Sequence, residues 1–183
     1  MFYSKTEIRH KNLKKRASFG NVFYSKWSQK ICSRALPYFQ KARSLALYFP
    51  LKGEVWPWDI FLEARRQGKK IFFPRVSGNK LFFVPFSETT SFEMSSLGVF
   101  QPEVGTSALQ GIDCVLVPGI AFDHDGFRVG FGKGYYDRAL KKYMGLKIGL
   151  AYDHQIIPHL ESRGHDVPCD FVVSEKRIMR RSL

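Results

Sequence analysis

An uncharged apolar run, Cys114-Val115-Leu116-Val117, constrains the fold of this chain more than any other feature of its sequence. The run has no polar position and ends at Pro118-Gly119, a pair that interrupts regular structure. A strand that is apolar on both faces is typical of the centre of a parallel sheet, where helices cover each side. The run therefore predicts an α/β layered fold.

Strand and helix patterns alternate along the rest of the chain. Residues 1–40 favour helix, with a break at Gly20-Asn21. Further helices are predicted at 59–67 and 135–144, and further strands at 44–49, 71–73, 81–84, 147–151 and 171–173. With a length of 183 residues, this alternation predicts a single domain, 1–183, with a largely parallel sheet flanked by helices. Ligands of such sheets bind beyond the carboxyl ends of the strands.

The net charge of the chain is +13 and its distribution is uneven. Residues 1–34 carry nine Lys and Arg residues against Glu7 alone, whereas residues 81–127 carry no Lys or Arg. A basic field of this kind attracts anionic partners, although net charge also keeps a protein in solution.

The cysteines and the hydropathy pattern bear on the location of the protein. Cys32, Cys114 and Cys169 form no CxxC motif, so we expect reduced thiols and a cytoplasmic protein. No apolar stretch approaches the length of a transmembrane helix, and the first residues lack the apolar core of a signal peptide. We therefore expect no association with a membrane.

A glycine-rich segment before the predicted helix 135–144 indicates a phosphate-binding loop. Its alternating glycines are Gly130, Gly132 and Gly134. Glycine permits positive φ and lets a phosphate approach main-chain N–H groups, and the start of a helix adds partial positive charge. Arg128 and Lys133 place two full positive charges beside this loop.

The residues around these glycines extend the prediction to a nucleotide and its metal ion. Asp137 lies one turn into the predicted helix, where a carboxylate can hold Mg²⁺ between phosphates. Tyr135 and Tyr136 can pack against a base or ring. The loop is not a Walker A loop, since Gly134 and not Ser or Thr follows Lys133, and its third glycine comes one residue too early for a dinucleotide fingerprint. The alternative is a glycine-rich turn with both tyrosines in the core.

The run FDxxGxRxGxGKGYYDR at residues 122–138 resembles the signature of the 5-formyltetrahydrofolate cyclo-ligase family, also called 5,10-methenyltetrahydrofolate synthetase. Three more segments are similar to the family in the same order and extend the resemblance over about residues 5–175. These segments are Lys5-Thr6-Glu7-Ile8-Arg9 with Lys15-Arg16, Phe49-Pro50-Leu51-Lys52-Gly53-Glu54-Val55, and His165-Asp166-Val167-Pro168-Cys169-Asp170-Phe171-Val172-Val173.

The resemblance implies an ATP-dependent carbon–nitrogen cyclo-ligase that uses Mg²⁺. The family converts 5-formyltetrahydrofolate to 5,10-methenyltetrahydrofolate and releases ADP and phosphate, on an α/β fold whose nucleotide site is the glycine-rich loop. The implied ATP-binding residues are Lys5, Arg9, Arg128, Gly130, Gly132, Lys133, Gly134, Tyr135 and Tyr136. The implied folate-binding residues are Phe49, Glu54, Phe131, Gly132, Lys133, Gly134 and Tyr135. Asp137 and Asp170 are the implied Mg²⁺ ligands. We expect a monomer that also accepts polyglutamylated folate and has no nucleic-acid partner.

The chemistry of this reaction explains the residue types. The N5-formyl group is an amide, and amide resonance makes its carbon a poor electrophile for the N10 amine. Phosphorylation of the formyl oxygen creates a leaving group and an electrophilic carbon that N10 can attack. The protein must mainly hold the phosphates in line and neutralise their charge. Arg128 and Lys133 are therefore the predicted catalytic residues.

The alternative function is a paralogue that keeps the loop without this reaction and binds nucleotides or RNA. It is suggested by the basic residues in 1–34 and by the C-terminal residues Arg177, Arg180 and Arg181. A zinc site is not expected, because the spacing of His154, His159 and His165 matches no usual pair of zinc ligands.

Overall fold

The computed structural model describes residues 4–17, 21–107 and 109–181. Its helices are α1 (Lys5–Ala17), α2 (Asn21–Ala35), α3 (Trp58–Arg66) and α4 (Tyr135–Leu140). Its strands are β1 (Ser44–Ala46), β2 (Lys70–Ser77), β3 (Lys80–Pro85), β4 (Phe92–Met94), β5 (Phe100–Pro102), β6 (Cys114–Val117), β7 (Ala121–Asp123), β8 (Arg128–Val129), β9 (Leu146–Leu150), β10 (Ile156–Ile157), β11 (Phe171–Val173) and β12 (Ile178–Arg180). Within these ranges no helix is long and apolar enough to cross a membrane.

A seven-stranded sheet in the order β12-β11-β9-β6-β1-β2-β3 organises the described chain. The five inner strands run parallel to their inner neighbours, whereas the edge strands β12 and β3 pair antiparallel with β11 and β2. The predicted α/β fold with a largely parallel sheet is thus confirmed. Parallel order brings the carboxyl ends of β1 and β6 to one edge of the sheet.

The central strand β6 is buried at every position, as its apolar sequence predicts. Leu116 belongs to the core that lies under α2 and α3, together with Ile31 and Ile60. Val117 belongs to the opposite core, together with Leu140 of α4. Burial of one such side chain contributes about 1.5–3 kcal/mol, so both layers of helices stabilise the same strand.

Helix α1 begins at a capping box and lies beside β7 and β8. The Ser4 N–H donates to the Glu7 carboxylate at 2.7 Å, and the Glu7 N–H donates to the Ser4 hydroxyl at 3.2 Å. The apolar side of α1 places Ile8 in a small cluster with Ala121 and Val129. This contact brings the basic face of α1 close to the segment that follows β8.

The structure corrects several predicted boundaries. The helix predicted over 135–144 ends at Leu140, because the chain turns there and the Tyr143 N–H donates to the Leu140 carbonyl. The strand predicted over 44–49 ends at Ala46, which leaves Phe49 in a loop. The predicted break after α1 agrees with the start of α2 at Asn21, and Gly20 lies outside the described residues. Strands β4, β5, β7, β8, β10 and β12 were not predicted, and each of them has only two or three residues.

Candidate active site

The glycine-rich loop, residues 130–134, connects β8 to α4. The Ile120 N–H donates to the Val129 carbonyl at 2.7 Å, so the loop starts beside the chain that leaves the carboxyl end of β6. Gly132 and Gly134 have φ of 91° and 65°, in the left-handed region where other residues are strained. Gly130 has no positive φ, and a Cβ added there would meet no atom within 4 Å. The glycine at 130 thus leaves open space for a ligand.

Two cations of α1 contact loops, Arg9 the glycine-rich loop and Lys5 the loop that contains Asp166. The Arg9 Nε donates to the Gly130 carbonyl at 2.9 Å, and its Nη2 lies 3.5 Å from where a Cβ on Gly132 would stand. The Lys5 Nζ lies 2.5 Å from a carboxylate oxygen of Asp166. Helix α1 thus contacts the glycine-rich loop through Arg9 and the loop that contains Asp166 through Lys5.

The two predicted catalytic cations differ in their surroundings. The Arg128 side chain is only 4 % exposed, and it donates to the Val167 carbonyl at 2.9 Å and to Asp137 Oδ1 at 3.0 Å. Its guanidinium carbon also lies 5.8 Å from the centre of the Tyr136 ring. Lys133, in contrast, is exposed at the turn of the loop. Arg128 therefore supports the loop from within, and Lys133 extends toward solvent.

Arg138 joins the loop to the turn between β2 and β3, a role that was not predicted. One guanidinium nitrogen donates to the Lys133 carbonyl at 2.9 Å and another to the Asn79 carbonyl at 2.8 Å. Tyr135 reaches the same turn, since its hydroxyl donates to the Gly78 carbonyl at 3.5 Å. Arg138 ends the family-like run, but the sequence alone gives no sign that it bonds to two loops.

The carboxylates predicted to bind Mg²⁺ have different partners. Asp137 uses one oxygen, Oδ1, to accept from Arg128 and from the Val167 N–H at 3.3 Å. Asp170 uses Oδ2 to accept from the Lys147 N–H at 2.8 Å and to pair with its Nζ at 2.9 Å. Both hydrogen bonds of Asp137 use Oδ1, and Oδ2 takes part in neither of them. Asp137 therefore fits a Mg²⁺ site in which one carboxylate oxygen binds the ion beside phosphate oxygens.

Another set of possible ligand atoms, those of Asp123, Asp125 and His159, lies within 4.8 Å in the described chain. Both oxygens of Asp123 already accept hydrogen bonds, from the N–H groups of Asp125, Phe127 and Leu160. These bonds explain the cluster as the support of the turn between β7 and β8.

Glu54 lies in the loop after β1 and is buried. Its N–H donates to the Leu51 carbonyl at 2.9 Å, and its Oε2 accepts from the Leu51 N–H at 3.0 Å, which fixes the carboxylate. The other oxygen, Oε1, lies 3.9 Å from Nη1 of Arg16, and the two side chains are 5 % and 4 % exposed. Burial raises the pKa of Glu54 to about 7, although the Arg16 charge and the Leu51 N–H oppose the rise.

Several polar atoms near Glu54 are buried and make no hydrogen bond. Within the described chain, Nε and Nη1 of Arg16 and the hydroxyl of Tyr136 have no hydrogen-bond partner. The charge of Glu54 contributes to raising the pKa of Tyr136, after burial, so the carboxylate and the hydroxyl are electrostatic neighbours. Buried polar atoms of folded proteins are almost always paired, so this cluster marks a place for a polar ligand or water. The sequence showed Arg16 only as part of a basic pair.

Two cavities open beside the loop that contains Phe49 and Glu54. The first has a volume of about 300 Å³ and is lined by aromatic side chains, including Phe49. The second has a volume of about 530 Å³ and is lined by Glu54, Lys52 and Tyr152 among others. They share Pro50, Trp56 and Trp58 as common walls. Residues 130–136 line neither cavity, so the predicted folate residues are divided between the cavities and the glycine-rich loop.

Fold and site together define an α/β protein with a glycine-rich loop and two cavities, all near the carboxyl ends of parallel strands. The sequence profile of the 5-formyltetrahydrofolate cyclo-ligase family matches residues 2–175, and the chain belongs to this family.

Individual relatives agree with this assignment over nearly the whole chain. The NMR structure of Aquifex aeolicus 5,10-methenyltetrahydrofolate synthetase superimposes with a TM-score of 0.82 at 38 % identity, covering 98 % of this chain and 95 % of that one. A 5,10-methenyltetrahydrofolate synthetase structure from Mycoplasma pneumoniae gives a TM-score of 0.79 at 29 % identity, with 94 % and 99 % covered. The 5-formyltetrahydrofolate cyclo-ligase of Haemophilus influenzae is 28 % identical and covers 90 % of this chain and 91 % of its own length.

Proposed function

We propose that this chain catalyses the cyclisation of 5-formyltetrahydrofolate to 5,10-methenyltetrahydrofolate, with ATP converted to ADP and phosphate. The observation that carries this proposal is the match of residues 2–175 to the family, in a chain whose glycine-rich loop and buried Glu54 both lie near the carboxyl ends of β6 and β1. A cationic loop suits the phosphates of ATP, and a buried carboxylate suits the N–H groups of a pterin.

The proposed reaction consists of phosphoryl transfer, ring closure and loss of phosphate. The formyl oxygen attacks the γ-phosphorus of ATP, the bond from that phosphorus to the β–γ bridging oxygen breaks, and ADP leaves. The N10 lone pair then attacks the activated formyl carbon and closes the five-membered ring. Departure of phosphate with its oxygen, and loss of the N10 proton, leave the methenyl bridge. Position and charge neutralisation carry most of the catalysis in such a transfer.

The chain's own cations perform the positioning. Lys133, Lys5 and Arg9 hold the phosphates with the N–H groups of residues 130–134, and Tyr135 and Tyr136 complete the nucleotide site. Arg128 acts on the phosphates and, through Asp137, keeps the loop in shape. Removal of one well-placed donor of this type typically costs on the order of 10²–10³ in rate.

A bound magnesium ion would neutralise charge that develops on the phosphates during transfer, and Asp137 and Asp170 would be the residues that hold it. Asp137 is the ligand that fits best, since it lies in α4 directly after the glycine-rich loop and its Oδ2 takes part in neither of its two bonds. Asp170 is the second proposed ligand, and its carboxylate is now paired with Lys147.

The folate is proposed to lie against Phe49 and Glu54, with Phe131 and Tyr135 of the loop on its other side. Glu54 accepts hydrogen bonds from the pterin when it is ionised, which its pKa of about 7 permits near neutral pH. The proposal includes a cytoplasmic location and a monomeric state. The three free, buried cysteines accord with the cytoplasmic location.

The test is a spectrophotometric assay with 5-formyltetrahydrofolate, with and without Mg·ATP. We expect absorbance of the methenyl product only when Mg·ATP is present, together with an equal amount of ADP. Glu54→Gln should abolish most turnover and leave ATP binding unchanged, whereas Glu161→Gln, on an exposed loop, should leave both unchanged. Folded protein that binds ATP and yields neither methenyl product nor folate-dependent ADP would contradict the proposal.

A further inference from the structure

The aromatic cavity contains a single charged side chain among the described residues that line it. Its walls include Phe49, Phe61, Phe73, Phe86 and Phe92, which come from five different segments of the chain. Phe49 stacks on Phe73 with ring centres 4.6 Å apart, so these two walls of the cavity pack against each other. The charged residue is Arg65 of α3.

Arg65 stands at the mouth of this cavity and is held over aromatic rings. Its guanidinium carbon lies 5.9 Å from the centre of the Phe61 ring and 6.0 Å from that of Phe86. The side chain is 47 % exposed, and its ion-pair partner Glu88 is 72 % exposed. An exposed pair of this kind contributes little to stability, so another carboxylate can replace Glu88.

The chemistry of the cavity walls decides which part of a folate fits there, an argument that rests on the proposed function. A pterin carries amide and amino groups that need hydrogen-bond partners when buried. The aromatic cavity offers almost none, while Glu54 and the Arg16 atoms that make no hydrogen bond lie beyond it. The p-aminobenzoyl ring is less demanding and can stack between aromatic walls. With this ring in the cavity, the glutamate attached to it leaves at the mouth.

We propose that Arg65 determines specificity for the glutamate end of the folate by binding its carboxylate in place of Glu88. A guanidinium suits this task because its planar fork donates two parallel hydrogen bonds to one carboxylate. The aromatic rings under it limit its motion, so it is already oriented before the substrate arrives. Arg65 contacts no reacting atom in this arrangement, and its effect falls on binding.

The experiment measures binding without ATP, so that no conversion takes place. Quenching of tryptophan fluorescence reports the site, since Trp56 and Trp58 line the cavity. The ligands are 5-formyltetrahydrofolate and 5-formyltetrahydropteroate, which lacks the glutamate. We expect Arg65→Gln to weaken binding of the first about tenfold, the loss typical of a hydrogen bond between charged groups, and to leave binding of the second unchanged.

Matched variants sharpen the result. Arg66→Gln removes the next arginine of α3, which pairs with Glu63 at 2.7 Å and does not line the cavity, so it should bind both ligands like the wild type. Arg65→Lys should recover only part of the affinity, because an ammonium group lacks the planar fork. Glu88→Gln should tighten binding of the glutamate-containing ligand about twofold, since it removes the competing carboxylate.

The outcomes separate this inference from the proposed function. Equal loss for both ligands in Arg65→Gln, or no loss for either, would overturn the role of Arg65. A wild-type chain that bound neither compound would overturn the folate subsite as a whole. Binding with the expected contrast, but no turnover once Mg·ATP is added, would overturn the proposed reaction and leave the subsite standing.

Discussion

The glycine-rich loop and the surroundings of Glu54 are held in place by opposite physical means. The loop takes its shape from the left-handed conformations of Gly132 and Gly134, and it leaves Lys133 exposed to water. Glu54 is enclosed by protein, beside the Arg16 guanidinium. Exposed cations suit a multiply charged phosphate that exchanges with water, whereas a buried carboxylate suits a flat, uncharged ring that replaces water. The contrast supports the proposal that ATP binds at the glycine-rich loop and folate binds beside Glu54.

Loss of the exposed charge should have the largest effect. Lys133→Met is expected to lower kcat on the order of 10²–10³-fold, because the transferring phosphoryl group loses a cation where charge develops. The folate dissociation constant should rise far less than kcat falls, since Phe49 and Glu54 also hold the folate in the proposed site. Lys141→Met, just beyond α4 and also exposed, is the control. An equal loss in both variants would mean that net charge, and not position, matters.

Removal of the buried charge should show in the pH dependence of stability. Burial raises the pKa of Glu54 from 4.5 to about 7, so between these values the folded protein retains a proton that the unfolded chain has lost. Stability from this group is therefore complete below about pH 4.5 and declines as the pH rises to about 7, by about 3 kcal/mol in all. In Glu54→Gln this decline is absent. Urea denaturation should show that the free energy of unfolding of the variant, relative to that of the wild type, is higher at pH 8 than at pH 5. The same difference between the two proteins at both pH values would refute the effect.

The ion-pair partner of Glu54 should have a smaller effect. Burial raises the pKa of Glu54 and the Arg16 charge opposes the rise, so Arg16→Met should raise that pKa further. The pH at which folate binding reaches half its maximum should then move upward, and affinity at pH 7 should fall about tenfold. Lys14→Met, exposed on the same helix, should leave the pH profile unchanged. A loss of affinity that is the same at all pH values would show that Arg16 acts only by packing.

The smallest effect concerns the backbone of the loop. Gly134→Ala forces alanine into φ of 65° and should lower the free energy of unfolding by about 1 kcal/mol. Gly130→Ala is the matched control, because that position has no positive φ and an added Cβ meets nothing within 4 Å. Thermal unfolding of the two variants should differ by a few degrees, and equal melting temperatures would contradict the assigned strain.

The parts of this molecule that could be predicted from sequence depend on local patterns. The run that forms β6 has no polar residue, and only glycine readily adopts the conformations at 132 and 134. The approach of Arg16 to Glu54 has no such signal, because it depends on how α1 packs against β7 and β8. The aromatic cavity could not be predicted from the sequence for another reason. Phenylalanines in strands and loops look like core in a sequence, and only their packing shows that they leave a space.

The order of strands also sets when the site can form during synthesis on a ribosome. Strand β1 lies between β2 and β6 in the sheet. Strand β2 follows β1 closely in the sequence, whereas β6 is complete only once Val117 has been synthesised. Lys5 meets Asp166 across 161 positions of the chain, so this contact must wait still longer. Contacts this distant form slowly because a large loop must close first. A nascent chain that stalls before Asp166 therefore leaves Lys5 of α1 without its carboxylate partner.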